Sequence, residues 1–275
     1  MVQGMLAFAA APARERRQQV ISMSILDQYL LDAPSPATAF ALFKGEWSSL
    51  IPGIGEGNVS LFNDVRVTWL ESQCGGFAGK RVLELGPLEG GHSYMLAQRG
   101  AHVTAIEANT RAFMKCLIVK NALKFDVDFQ LGDFRPYLSA TSDRYDFLLA
   151  SGVLYHMTDP VQLLVDATRV SNALGVWTHY FDADIISRRA DLTAKFEMQG
   201  TPSAFEGRDY MIHKQNYEAA LDWNGFCGGS APTSHWLEKQ SLLGLLDARG
   251  FDVRIGADER EHPNGPAMLF YAKRR

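Results

Sequence analysis

At 275 residues, with 47% hydrophobic and 21% charged side chains, the chain is long enough to bury one large core, or one core and a small cap. A formal net charge of -4 and a pI near 6.0 exclude a general basic field for nucleic acid, and no run approaches the ~20 apolar residues of a membrane span. Cys74, Cys116 and Cys227 stand far apart without CxxC spacing, which favours thiols in a reducing compartment over disulfides or zinc ligands.

In chain order, MVQGMLAFAAAPA ends in small residues as a secretory signal does, but it lacks a basic n-region and its apolar stretch is short, so a soluble cytoplasmic protein is expected. Residues 1 to about 40 read as a tail and one helix broken by Pro34 and Pro36. Phe43 to Ser49 and the glycine-rich Pro52 to Gly57 read as a loop leading into the domain. Asp64 to Cys74 has helical spacing and is capped by Gly75-Gly76. From Lys80 the signals alternate: strand 81–85, helix 91–99, strand 102–106, helix 110–124, strand 127–130, strand 145–150, helix 160–171 and strand 174–179. Such alternation predicts a parallel sheet with helices on both faces. The chain closes with helix 236–249, strand 251–256 and a return strand 267–273 across His262-Pro263-Asn264-Gly265.

Residues 82–91, VLELGPLEGG, place Gly86, Gly90 and Gly91 directly after a buried strand. Glycine there permits a sharp turn and lets a ligand reach the main chain without meeting a Cβ. Glu107 ends the next strand, 23 residues after Glu84, where a Rossmann-like unit places the carboxylate that holds two ribose hydroxyls. A bound nucleoside is therefore expected. The spacing Gly86-x-x-x-Gly90 departs from Gly-x-Gly-x-x-Gly, and Glu89 would repel a pyrophosphate, which argues against NAD.

Glu84, Gly86 and Gly90 resemble the first motif of the class I S-adenosylmethionine-dependent methyltransferases, with Leu88 in place of the common middle glycine. The resemblance implies a Rossmann-like α/β fold, a seven-stranded mostly parallel sheet whose last strand is antiparallel, and S-adenosyl-L-methionine as cofactor. It also implies that Asp133 accepts a hydrogen bond from the adenine amino group while Phe134 supplies backbone or stacking contacts; seen alone, Asp133 is equally an Asp opening a turn before Pro136. The cofactor set expected on this basis is Glu84, Gly86, Pro87, Gly90, Gly91, Glu107, Ala108, Asp133, Phe134 and Ser151. Gly152-Val153-Leu154-Tyr155-His156, with Asp159-Pro160 after it, resembles a methyltransferase-like group that includes the tRNA wobble-uridine carboxymethyltransferases.

Tyr155 and His156 either pack beneath the cofactor or face the acceptor. His179, ending the fifth strand, is a candidate general base, or else a structural histidine bonded to Asp182. His156, His179, His213, His235 and Asp182 show no metal-binding spacing, so no metal is expected. Residues 183–235 are expected to cap the site, with aromatics Phe196, Phe205, Tyr210, Tyr217, Trp223 and Phe226 shaping the acceptor pocket or forming the cap's own core. The hairpin loop His262 to Pro266 is expected to open toward the same edge. The expected organisation is a tail and helices over 1–75 and a cofactor domain over 76–275. The expected activity is direct methyl transfer to a small-molecule acceptor, with catalysis by His179, His156 and Tyr155. An RNA-modifying methyl- or carboxymethyl-transferase and a non-catalytic cofactor-binding protein are the alternatives.

Overall fold

The computed structural model describes residues 29–223, 225 and 228–275. The signal-like run, most of the expected first helix, Phe226 and Cys227 lie outside the described residues. Pro36 starts a helix instead of breaking one: α1 (Pro36–Phe40) has Pro36 in its first turn and the Ser35 hydroxyl accepting from the Thr38 amide at 3.1 Å. Proline suits that position because its missing N–H would have no helical partner there. The chain then forms the small antiparallel pair β1 (Leu50–Ile51) and β2 (Gly55–Glu56), a 3-10 turn at Leu61–Asn63, and α2 (Val65–Cys74), which Asp64 caps and Gly75 ends in the left-handed conformation.

The alternating region gives β3 (Arg81–Leu85), α3 (Gly91–Gln98), β4 (His102–Glu107), α4 (Thr110–Leu123), β5 (Asp128–Leu131), α5 (Phe134–Ala140), β6 (Phe147–Ser151), α6 (Pro160–Val170) and β7 (Ala173–His179). Helix α5 was not expected. Asp133 caps it, and Pro136 falls within its first turn, where a proline lacks no hydrogen bond. After β7 come α7 (Ala183–Ile186), α8 (Ala190–Thr193), β8 (Thr201–Phe205), β9 (Arg208–Asn216) and β10 (Thr233–Leu237), then α9 (Lys239–Ala248), β11 (Phe251–Glu259) and β12 (Ala267–Arg274).

The main sheet runs β5-β4-β3-β6-β7-β12-β11, with β12 antiparallel to both neighbours and β3 to β7 mutually parallel, as the resemblance implies. Side chains alternate across it with the strand period of two. Leu83, Leu85, Leu148 and Leu174 join the core shared with α5, α6 and α9, whereas Val82, Phe147 and Leu149 join the opposite core with α2, α3 and α4. Strand β3 thus leads into a helix on one face and its neighbour β6 into a helix on the other. Between their carboxyl ends a crevice opens, the place where doubly wound sheets take ligands.

The segment after β7 carries its own antiparallel sheet, β10-β9-β8. Thr233–Leu237 pairs with Ile212–Asn216, so the helix expected from 236 begins only at Lys239. Phe196 joins Phe181, Ile186, Leu192 and Trp236 in a small separate core, while Tyr210 joins the main core with Phe205 against it. Trp223 is 62% exposed. Among the described residues, no helix is long and apolar enough to cross a membrane.

Candidate functional site

At the carboxyl edge of the sheet lies a cavity of about 860 Å³, within the range of small-molecule and cofactor sites. Its floor is built by strand ends. Gly86, Pro87 and Leu88 follow β3, Glu107 and Ala108 end β4, Asp133 and Phe134 follow β5, and Ser151 ends β6. These expected residues come together on one wall. Glu84, Gly90 and Gly91 do not reach it.

Glu84 is 2% exposed, accepts from the Ser93 hydroxyl beneath the turn, and has its carboxyl pKa pushed up by burial. Gly90 serves the turn's conformation, with φ 75°. Gly91 serves packing, since a Cβ there would stand 2.6 Å from the Leu61 Cβ. Of these glycines Gly86 alone faces the cavity, with φ 63° and the Val153 Cγ2 3.1 Å from where a Cβ would stand. At the missing glycine, Leu88 takes φ 57°, a conformation that costs a leucine on the order of 1 kcal/mol and presents its amide to Glu107.

Glu107 is almost wholly buried. Its Oε1 accepts from the Asn109 amide at 2.8 Å and its Oε2 from the Leu88 amide at 3.1 Å. Burial pushes its carboxyl pKa up, and these amides draw it back in part. Each oxygen retains a lone pair for a further donor. Asp133 is more heavily committed. It accepts from the Arg135 amide at 2.8 Å and takes the Arg135 guanidinium at 2.6 Å; burial acts to raise its pKa, but Arg135 outweighs burial and leaves it lowered.

The N-terminal segment forms the facing wall, a feature not legible in the sequence. Glu89, expected to face a pyrophosphate, turns away from the cavity. Its fully buried carboxylate accepts from the Ser48 amide at 2.9 Å and the Ser49 amide at 2.8 Å and pairs with Lys115 at 3.0 Å. Lys115 in turn donates to the Glu46 carbonyl at 2.6 Å. Leu61 packs against Gly91 on the first turn of α3. Next to Leu61, Asp64 binds His92 at 2.8 Å and Arg66 at 2.5 Å, and the Arg66 guanidinium lies 4.8 Å over the Trp177 ring. Both hydrogen bonds help hold the Asp64 carboxyl well below its usual range against the opposing effect of burial, so this wall stays charged but internally paired. Asp64, Arg66, His92 and Trp177 all line the cavity. Asp64 is readable from sequence only as a helix cap, and nothing local joins it to His92.

The remaining wall is aromatic, with Tyr155, His156, Trp177 and the hairpin's His262. The His156 ring packs 4.1 Å from that of Tyr155, and its Nδ1 lies 2.7 Å from the Tyr217 hydroxyl. His179 does not line the cavity. It is 4% exposed, donates from Nδ1 to the Gly265 carbonyl at 2.9 Å, and stacks on Trp236 at 4.9 Å with rings 8° from parallel. Its partner is thus the hairpin main chain and not Asp182, and it lies behind Tyr155 and His262, so the geometry does not support it as the general base.

Burial and His179 lower the His156 pKa to about 4, and burial and His262 lower that of His179 to about 4. Both rings are therefore neutral at pH 7. A folded value below the unfolded one means that their contribution to stability is full above pH 6.5 and is lost as the pH falls from 6.5 towards 4. Ring-proton NMR titration should give midpoints near 4 for both. A midpoint above 6 for either ring would contradict the packing described.

A family model described as "Methyltransferase domain" matches residues 77–223, from just before β3 to beyond β9. The ubiquinone biosynthesis O-methyltransferase of Aeromonas salmonicida (strain A449) is 31% identical over 102 residues, covering 37% of this chain and 43% of that protein. That of Azoarcus sp. (strain BH72) is 30% identical over 98 residues, covering 36% and 42%. The chain thus spans less than half the length of the curated relatives it matches. Among solved structures, the N-terminal domain of EvdMO1 with SAH bound superposes with a TM-score of 0.64 at 21% identity over 87% of this chain and 95% of that one, a likeness of fold. With a family match over more than half of its length and the seven-stranded sheet and crevice described above, the chain belongs to the methyltransferase domain family.

Proposed function

We propose that the protein is an S-adenosylmethionine-dependent methyltransferase that transfers the methyl group directly to a small-molecule acceptor. One observation carries this reading: a single cavity joins a polar wall suited to a nucleoside to an aromatic wall suited to an acceptor. The cofactor, when bound, supplies an electrophilic sulfonium methyl. The chain's part is to hold donor and acceptor in line, which removes much of the entropic barrier. Glu107 has the free lone pairs to hold two ribose hydroxyls, Phe134 and Ala108 give the base an apolar seat, and Gly86 with Pro87 and Ser151 leaves the main chain open to the methionine part. Asp133, already bound by Arg135, has only its remaining lone pairs for the adenine amino group. Calorimetry tests the cofactor assignment: S-adenosylhomocysteine should bind one to one and NAD should not. NAD binding in preference would overturn it.

The aromatic wall favours an acceptor with an apolar or planar body. It also favours catalysis over mere cofactor binding, because the cavity extends past the nucleoside wall. An RNA acceptor is disfavoured by charge. The cations at the rim are internally neutralised, Arg66 by Asp64 and Arg135 by Asp133, and the formal net charge is -4. Any association with bulk tRNA should therefore be weak and vanish with modest salt in a gel-shift series. Tight retention of tRNA at physiological salt would favour the RNA reading instead.

A further inference from the structure

We propose that His156 is the proton acceptor of the reaction, acting through Nε2 on an acceptor hydroxyl, and that Tyr217 of the segment after β9 is the positioning residue that fixes the ring's tautomer. The inference rests on the cofactor and reaction proposed above. The Tyr217 hydroxyl lies 3.1 Å from the Gly228 carbonyl and 2.7 Å from the His156 Nδ1. A carbonyl only accepts, so the single hydroxyl proton goes to Gly228 and the hydroxyl oxygen receives Nδ1–H from His156. In the neutral ring the lone pair is then on Nε2. His156 lines the cavity, and among the described residues no atom pairs with its Nε2. The neighbouring Tyr155 ring, 4.1 Å away, fixes the plane. Gly229 and Ser230, next in the chain after Gly228, also line the cavity, so the carbonyl that binds Tyr217 adjoins the cavity wall.

The other histidines are differently disposed. His179 donates from Nδ1 to a main-chain carbonyl behind the wall. His262 is on the wall, but its Nδ1 accepts from the Asn264 amide at 3.2 Å, which places its proton on Nε2. His92 also lines the cavity, but its Nε2 is taken by the Asp64 carboxylate at 2.8 Å, so among the described residues only His156 combines a place on the wall with an Nε2 lone pair. In the step, the hydroxyl oxygen forms a bond to the methyl carbon as the carbon–sulfur bond breaks and its electron pair returns to sulfur. The hydroxyl proton moves to Nε2, so the sulfonium's positive charge ends on the imidazolium, which later loses its proton to water. Burial keeps the ring neutral and makes it a weak base. A weak base suffices because an oxygen gaining a methyl group becomes far more acidic than an imidazolium. Acceptors that carry no proton, such as carboxylates, would make this arrangement idle.

The test joins a spectroscopic readout on the full chain to label transfer. In ¹⁵N NMR of the wild type without ligand, Nδ1 of His156 should be protonated and Nε2 unprotonated, and Tyr217→Phe should mix or invert the two. With methyl-labelled S-adenosylmethionine and a metabolite extract, His156→Gln should lower transfer by roughly 10² to 10⁴. Tyr217→Phe should lower it by about tenfold or more, with affinity for S-adenosylhomocysteine within about threefold of wild type in both. The transferred label should survive alkaline hydrolysis, as an ether does. A wild-type ring protonated at Nε2, near wild-type transfer by His156→Gln, or label released by alkali as methanol from an ester would each overturn the inference. Absence of S-adenosylhomocysteine binding by the wild type would instead overturn the cofactor reading beneath it.

Discussion

Glu107→Ala is expected to weaken S-adenosylhomocysteine binding by at least tenfold in calorimetry while leaving the fold intact. Two charge-assisted hydrogen bonds to ribose hydroxyls are at stake, together about 2 to 4 kcal/mol. The same carboxylate also receives the Leu88 and Asn109 amides, so its removal frees the left-handed turn at Leu88 as well. Glu107→Gln separates the two contributions. It keeps one carbonyl acceptor but loses the charge, and should fall between wild type and the alanine variant. Unchanged affinity in Glu107→Ala would remove this residue from the site.

Glu89→Ala should have the largest effect on stability. The carboxylate is fully buried, and its loss strips partners from two main-chain amides and leaves the Lys115 ammonium, itself 7% exposed, with no counter-charge, held by the Glu46 carbonyl and the faces of the Phe43 and Trp47 rings. Removing one member of a buried ion pair costs about 3 to 5 kcal/mol. In a chain of this size that corresponds to a lowering of the melting temperature on the order of 10 °C. The wall bearing Leu61, Asp64 and Arg66 depends on this latch, so S-adenosylhomocysteine affinity should fall along with stability. A melting temperature within 1 °C of wild type would show that the N-terminal wall is held by other contacts.

Local signals carried the central sheet well and the walls of the site poorly. The runs at Val82–Leu85, Val103–Glu107 and Phe147–Ser151 are short, apolar and bounded by turn residues, so strand identity, parallel order and the ligand edge could be read directly. Glu107 was legible because its place follows from the strand it ends. Helix α5 was not, because Pro136 resembles a breaker unless it falls within the first turn. Strand β10 was missed because Thr233–Leu237 becomes a strand only through pairing with residues about 20 positions earlier. Glu89 and His179 were assigned to the right elements with the wrong surroundings. A buried carboxylate answering the Ser48 and Ser49 amides, and a histidine answering the Gly265 carbonyl, depend on contacts across 40 and 86 positions that no local pattern encodes. Tyr217 stood out only as one of several aromatics, and its bond to His156 spans 61 positions.

Label transfer tests the central claim most directly. The purified full chain is incubated with methyl-labelled S-adenosylmethionine and a metabolite extract, and the label is followed into small-molecule, RNA and protein fractions. Protein-dependent label in the small-molecule fraction, abolished by excess S-adenosylhomocysteine, is the predicted result. Label confined to RNA or protein, or no transfer by a chain that binds S-adenosylhomocysteine, would contradict it.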